Sequence, residues 1–181
     1  MKKTLLTILC TVLVCSCVMG VTLAFLMDST ETITNTFTIG NIDITLTETK
    51  GTLDGNTRNF KMVPGSTIVK DPTVTVVGGS EACYLFVKVV KSDNFADFMT
   101  YAMADGWTEL EAGVYYRKVE ATTADKPFDV LKDNQVTVLD AITKDQIDAD
   151  DFVYPTLSFT AYAVQSENVA TAAAAWALLN P

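Results

Sequence analysis

The chain has 181 residues, 13 basic against 22 acidic side chains, no histidine and a formal net charge of -9. That length fits one ordinary domain able to bury its own core, and the acidity repels nucleic acid and anionic lipid. Without histidine there is no H-E-x-x-H helix, no Ser-His-Asp triad and no Cys-His pair.

The N-terminus has the pattern of a secretory signal peptide. Met1-Lys2-Lys3 is a basic start, residues 4–18 are nearly uncharged and apolar, and the small residues Gly20, Thr22 and Ala24 follow. Cleavage is expected after Ala24, leaving Phe25 as the new N-terminus and residues 1–24 as the signal peptide. A retained span over residues 4–27 is the competing reading, although Ser, Thr, Cys and Gly interrupt it. A lipoprotein signal fits less well, since Val14-Cys15-Ser16-Cys17 only loosely offers an acylatable cysteine. Removing the leader leaves 157 residues with 11 basic and 22 acidic side chains, a net charge of -11. It also removes Cys10, Cys15 and Cys17, so Cys83 stands alone and no internal disulfide can form.

Residues 25–40 form an N-terminal arm and first strand, and residues 41–181 a single domain. Ile42, Ile44 and Leu46 alternate with polar residues, which predicts a strand with one dry face. Residues 51–59, rich in Gly, Asn and Asp, read as a loop. Three closely spaced strands follow at 66–69, 73–77 and 82–91. The last is expected at the centre of a sheet, with Cys83, Leu85, Val87 and Val89 on one apolar face and Tyr84, Phe86, Lys88 and Val90 on a mixed one. Phe95, Phe98, Met99 and Ala102 fall at helical spacing, predicting a helix over 92–104 capped by Ser92 or Asp93. Residues 107–110 and 114–119 read as a hairpin, with short strands at 128–130 and 136–139 and a helical turn at 144–150. Leu157, Phe159, Ala161 and Ala163 share a face of a last strand over 156–164. A final helix is expected from about Asn168, with Val169, Ala172, Ala173, Trp176 and Leu179 as its stripe. The whole predicts an all-β fold, an antiparallel jelly-roll β-sandwich with short peripheral helices and a C-terminal helix.

Candidate chemistry is sparse. Asp145, Asp148, Asp150 and Asp151 are closely spaced oxygen ligands of the kind calcium takes. Their segment lacks the glycine and terminal glutamate of an EF-hand loop, so a solvated acidic loop is the better reading. Gly78-Gly79-Ser80 is a turn without the G-K-[ST] of a phosphate loop. Cys83 has no cationic neighbour in sequence to lower its pKa and is expected to be a buried structural residue. Trp107, Tyr115 and Tyr116 are candidate contacts of a sandwich adhesin, although core or cross-strand packing explains them better. No catalytic, metal or cofactor site is nominated.

Several segments carry a family likeness. Leu23-Ala24-Phe25-Leu26-Met27-Asp28-Ser29, followed by Asn35-Thr36-Phe37-Thr38-Ile39-Gly40-Asn41-Ile42-Asp43-Ile44, resembles the start of the TasA/camelysin family of secreted biofilm matrix proteins of Gram-positive bacteria. Val63-Pro64-Gly65-Ser66, Lys70-Asp71-Pro72, Tyr84-Leu85-Phe86-Val87-Lys88-Val89 and Ala161-Tyr162-Ala163-Val164-Gln165 resemble it too. The resemblance implies cutting by a SipW-type signal peptidase at Ala24 and Phe25, and a jelly-roll subunit built into cell-surface or matrix fibres. It also implies that the freed arm becomes a strand of the neighbouring subunit; residues 25–36 are mostly polar yet β-prone, with Phe25, Met27 and Ile33 as candidate apolar anchors. The expected partners are copies of the chain or related matrix subunits, and the signal peptidase during export; nucleic acid is not among them, and membrane contact runs only through an uncleaved leader. The alternatives are a camelysin-type cell-surface metalloprotease, which the missing histidine argues against, and the adhesin.

Overall fold

Alternating apolar and polar side chains decide most of the architecture, and the longest alternation, over Cys83–Lys91, lies at its centre. The computed structural model describes residues 40–54, 57–147 and 152–179, all within one compact unit. They form an all-β sandwich of antiparallel sheets with a few short helices.

One sheet has the order β12-β6-β9-β8, where β6 is Cys83–Lys91, β8 is Thr108–Glu111, β9 is Val114–Val119 and β12 is Leu157–Gln165. β6 and β12 pair along their full length, from Cys83 opposite Gln165 to Lys91 opposite Leu157. β8 and β9 form the expected hairpin. Its turn needs Gly113, whose φ is +77°, because an added Cβ would lie 2.7 Å from the Val89 carbonyl oxygen.

The opposite sheet is built from two ladders set end to end. β1 (Ile44–Thr47), β5 (Thr73–Val76) and β10 (Lys126–Asp129) form one, and β4 (Thr67–Val69), β11 (Gln135–Val138) and β7 (Met99–Thr100) the other. Only Lys70, Asp71 and Pro72 separate β4 from β5, and a 3-10 turn, Lys132–Asn134, lies between β10 and β11. Backbone bonds from Lys70 N to Asn134 O (2.8 Å) and from Val130 N to Pro72 O (3.0 Å) carry the pairing across this break. β4–β5 and β10–β11 are thus two bent strands, and the sheet runs β1, β4–β5, β10–β11, β7.

The period-two pattern of β6 explains how both its faces are covered. Cys83, Leu85, Val87 and Val89 pack against Val74 and Val76 of the opposite sheet, forming the main core. Tyr84 and Phe86 point the other way and are covered by the helix α3 (Ala172–Leu179). Trp176 lies 5.2 Å from Phe86 and 5.5 Å from Tyr162 between ring centroids, and its indole N–H donates to Glu111 Oε1 at 2.8 Å. Each large apolar side chain so buried contributes about 1.5–3 kcal/mol.

Three local expectations are corrected. Residues 92–104 hold a single helical turn, α1 (Phe95–Phe98), because Met99 and Thr100 leave it to pair with Val138 and Thr137. The ladder outweighs local helical spacing. Ser92 does not cap that turn: its hydroxyl donates to Asn94 Oδ1 (2.7 Å) and accepts from Thr156 N (2.9 Å), tying the approach to β12 onto α1. Residues 51–59 contain a hairpin, β2 (Thr52–Asp54) with β3 (Thr57–Asn59), where a loop is expected. In α3 the inward stripe is Ala172, Ala175 and Trp176, while Ala173 faces outward. The expected turn near residue 144 is α2 (Lys144–Ile147).

Candidate functional site

Sheet edges are where a sandwich can accept another strand, since each presents unpaired N–H and C=O groups. Among the described residues, the edges differ sharply. β7 has two residues and β1 has four, while β8 has four and is broken by a register shift between Glu109 and Glu111. These are edges of the protected kind, short or bulged. β12 has nine residues, Leu-Ser-Phe-Thr-Ala-Tyr-Ala-Val-Gln, with no charge and no proline. Its only ladder among the described residues is with β6, and β1 approaches it without forming a ladder.

Beside this edge lies a groove of about 790 Å³ between β1 and the start of β12. Phe95, Met99 and Val136 lie beneath it, Phe95 and Val136 being nearly fully buried. Leu46 and Leu53 border it and remain 38% and 61% exposed, which marks apolar surface that the sandwich itself leaves uncovered.

An ion pair is set into this apolar groove. Lys70 Nζ donates to both oxygens of Glu48 at 2.8 and 3.1 Å, with side chains only 11% and 17% exposed. The ammonium also lies 4.8 Å from the Phe60 ring centroid and 5.4 Å from that of Phe159. Those ring faces offset part of its lost hydration. One residue further on, Asp71 Oδ1 accepts from Thr49 N (3.0 Å) and Lys50 N (2.9 Å), and Oδ2 accepts from the Thr49 hydroxyl. Burial alone would raise the Asp71 pKa, but these hydrogen bonds outweigh it and hold the carboxyl below its ordinary value. Arg58 donates from Nη1 to the carbonyls of Thr49 (3.4 Å) and Lys50 (3.3 Å). The β2–β3 hairpin is therefore held over the groove by polar contacts at its base, and Gly51 (φ +83°) fits there because the Phe60 ring leaves no room for a Cβ.

The residues singled out in sequence are dispersed. Ala24, Phe25, Met27 and Ile33 lie outside the described residues, as do Asp148, Asp150 and Asp151; Asp145 is on α2, its side chain likewise outside them. Among the described residues no cluster of three or more cysteine, aspartate or glutamate side chains is placed to hold a metal ion. No described helix is long and apolar enough to cross a membrane. Cys83 is fully buried in the main core, and desolvation raises its thiol pKa.

Trp107, Tyr115 and Tyr116 do not share a surface. Trp107 and Tyr115 pack against the main core and Tyr116 against the α3 side. Trp107 Nε1 donates to Asp129 O at 2.8 Å, and the Arg117 guanidinium stacks between Trp107 and Phe128. Burial, with Tyr115 and Glu109 nearby, pushes the Tyr101 hydroxyl up to about 12, so that hydroxyl stays protonated.

Lys70, Glu48, Arg58 and Phe60 are the site residues that sequence reading misses. The available signal is a lysine directly after an apolar strand, in the motif Lys70-Asp71-Pro72. No family model matches the chain, and no characterised protein or solved structure is significantly similar to it.

Proposed function

We propose that the chain is a secreted structural subunit of cell-surface or biofilm matrix fibres, assembled when the N-terminal arm of one copy adds as a strand to the next. The observation that carries this reading is the nine-residue, uncharged edge of β12, which has no ladder on its outer side among the described residues and begins beside an apolar groove. An edge of that length invites strand addition, in which main-chain bonds supply affinity and alternate side chains fill pockets.

Topology supports it. With β4–β5 and β10–β11 each counted as one bent strand and the β2–β3 hairpin set aside, the described residues give the sandwich eight strands, ordered 1-2-7-4 in one sheet and 8-3-6-5 in the other. A jelly roll of eight strands has 2-7-4 and 8-3-6 at the same places, but sets its first strand beside the eighth and its fifth beside the fourth. Here the first strand, β1, pairs with β5 instead. We read the fold as a jelly-roll variant whose β12 edge awaits a strand from outside. The arm has the reach: residues 25–35 could run the length of β12 at about 3.3 Å per residue. A head-to-tail contact of this kind does not close on itself and propagates into a filament.

The test is electron microscopy of the chain beginning at Phe25 beside one beginning at Ile39. Filaments are expected only from the first. Monomers from both under all assembly conditions would sink the reading.

A further inference from the structure

We propose that the groove between β1 and the start of β12 binds a small amphipathic monoanion, an aliphatic chain ending in one carboxylate, with Arg58 recognising the head group. The proposal goes beyond the fibre reading. Strand addition would use main-chain groups of β12, whereas this site is made by side chains of the described residues.

Size and lining suit a small molecule. Such sites are concavities of about 300–1,000 Å³, mostly apolar with a few convergent polar groups. The groove, at about 790 Å³, has that size, and Met62, Ile68, Phe60 and Phe159 line it together with Leu46 and Leu53. An aliphatic chain laid along it would take the two exposed leucines out of water.

Charge selects the head group. The chain has 13 basic against 22 acidic side chains, yet the groove is lined by two cations, Arg58 and Lys70, and one anion, Glu48. Two minus one makes the lining net positive in an acidic protein. Glu48 and Lys70 neutralise each other, which leaves Arg58 as the unmatched charge among the described residues. Its Nη1 donates to the carbonyls of Thr49 and Lys50, whose amides are in turn held by Asp71. The guanidinium is therefore fixed before a ligand arrives. Its Nε and Nη2 hydrogens have no acceptor among the described residues, and together they form a fork that fits a carboxylate. One surplus positive charge matches one carboxylate. A phosphate head carries close to two negative charges at neutral pH and would leave the second unmet beside Glu48.

Calorimetric titration of the chain beginning at Phe25 tests this with four ten-carbon probes, each below its micellar concentration: decanoate, decanol, decyltrimethylammonium and decyl phosphate. Decanoate should bind saturably and about tenfold tighter than the other three, the gain expected of a charge-assisted hydrogen bond. Arg58→Gln should remove that advantage and leave decanol unchanged, whereas a mere loss of hairpin shape would weaken both. Leu53→Asp, at a side chain 61% exposed, should weaken decanoate and decanol alike by more than about fivefold at an unchanged melting temperature. No saturable binding, equal affinity for decanoate and decyltrimethylammonium, tighter binding of decyl phosphate, or decanoate binding that neither variant alters would overturn the site. So would binding confined to a chain beginning at Ile39, because the groove would then be a site for the arm of the same chain.

Discussion

The sheet β12-β6-β9-β8 is covered by a helix on one face and, among the described residues, carries no ladder on the outer side of β12. On the covered face α3 lays Ala175 and Trp176 over Phe86 and Tyr84, with one hydrogen bond from Trp176 to Glu111 locking the helix in place. Along that edge, Leu157, Ser158 and Phe159 at the start of β12 border a groove that holds a Lys–Glu pair and exposed leucines. The contrast is between a face sealed by apolar packing and an edge that carries no ladder among the described residues. Apolar burial on one side supplies stability, while polar fastening on the other keeps a surface shaped but uncovered.

The largest expected effect breaks the covered face. Phe86 is fully buried between the Trp176 and Tyr116 rings, so Phe86→Ala removes a whole ring and leaves a cavity. Urea unfolding should show a loss of about 4 kcal/mol, with Trp176 fluorescence shifting as α3 loosens. A loss below about 1 kcal/mol would mean that α3 is not a structural cover.

A smaller effect probes the groove. Lys70→Met leaves the Glu48 carboxylate unpaired at 17% exposure and should cost about 3 kcal/mol, whereas Lys70→Met with Glu48→Leu should recover most of it. Recovery in the double variant shows that the pair is not needed for stability. Equal losses in single and double variants would assign Lys70 a packing role through Phe60 and Phe159 instead.

Much of the sandwich is legible from periodicity, since strands of period two were long enough to declare themselves over 82–91 and 156–164. The centre of the sheet follows directly from the unbroken apolar run of β6. Residues 92–104 misled because Phe95, Phe98 and Met99 satisfy helical spacing, while the partner that draws Met99 into a ladder, Val138, lies far along the chain. The hairpin over 52–59 was hidden because it has no dry face; its strands are almost wholly exposed and are fastened at the base. The place of β12 at the end of its sheet among the described residues has no mark in the sequence, for a strand's sequence does not state which of its sides is paired. The groove residues Glu48, Arg58, Phe60 and Lys70 meet only through the fold, so no spacing marks them.

Asp71 gives the finest test of the polar fastening, and the smallest effect. Its lowered pKa means that its contribution is fully present above the ordinary aspartate value of 3.8 and is lost as pH falls through the lower folded value. Because the carboxylate is largely solvated, Asp71→Ala should cost only about 0.5–1 kcal/mol at neutral pH. The difference in urea midpoint between wild type and Asp71→Ala should then narrow below about pH 4, where protonation removes the wild-type advantage. Local opening is a sharper readout than global stability, since Asp71 holds only the base of the hairpin. Amide hydrogen exchange at Thr49 and Lys50, whose N–H groups donate to Asp71, should accelerate in the variant while Leu85 and Val87 in β6 stay protected. Uniform acceleration across both regions would mean that the groove side and the helix-covered side open as one unit, and the distinction between a sealed face and a fastened one would be lost.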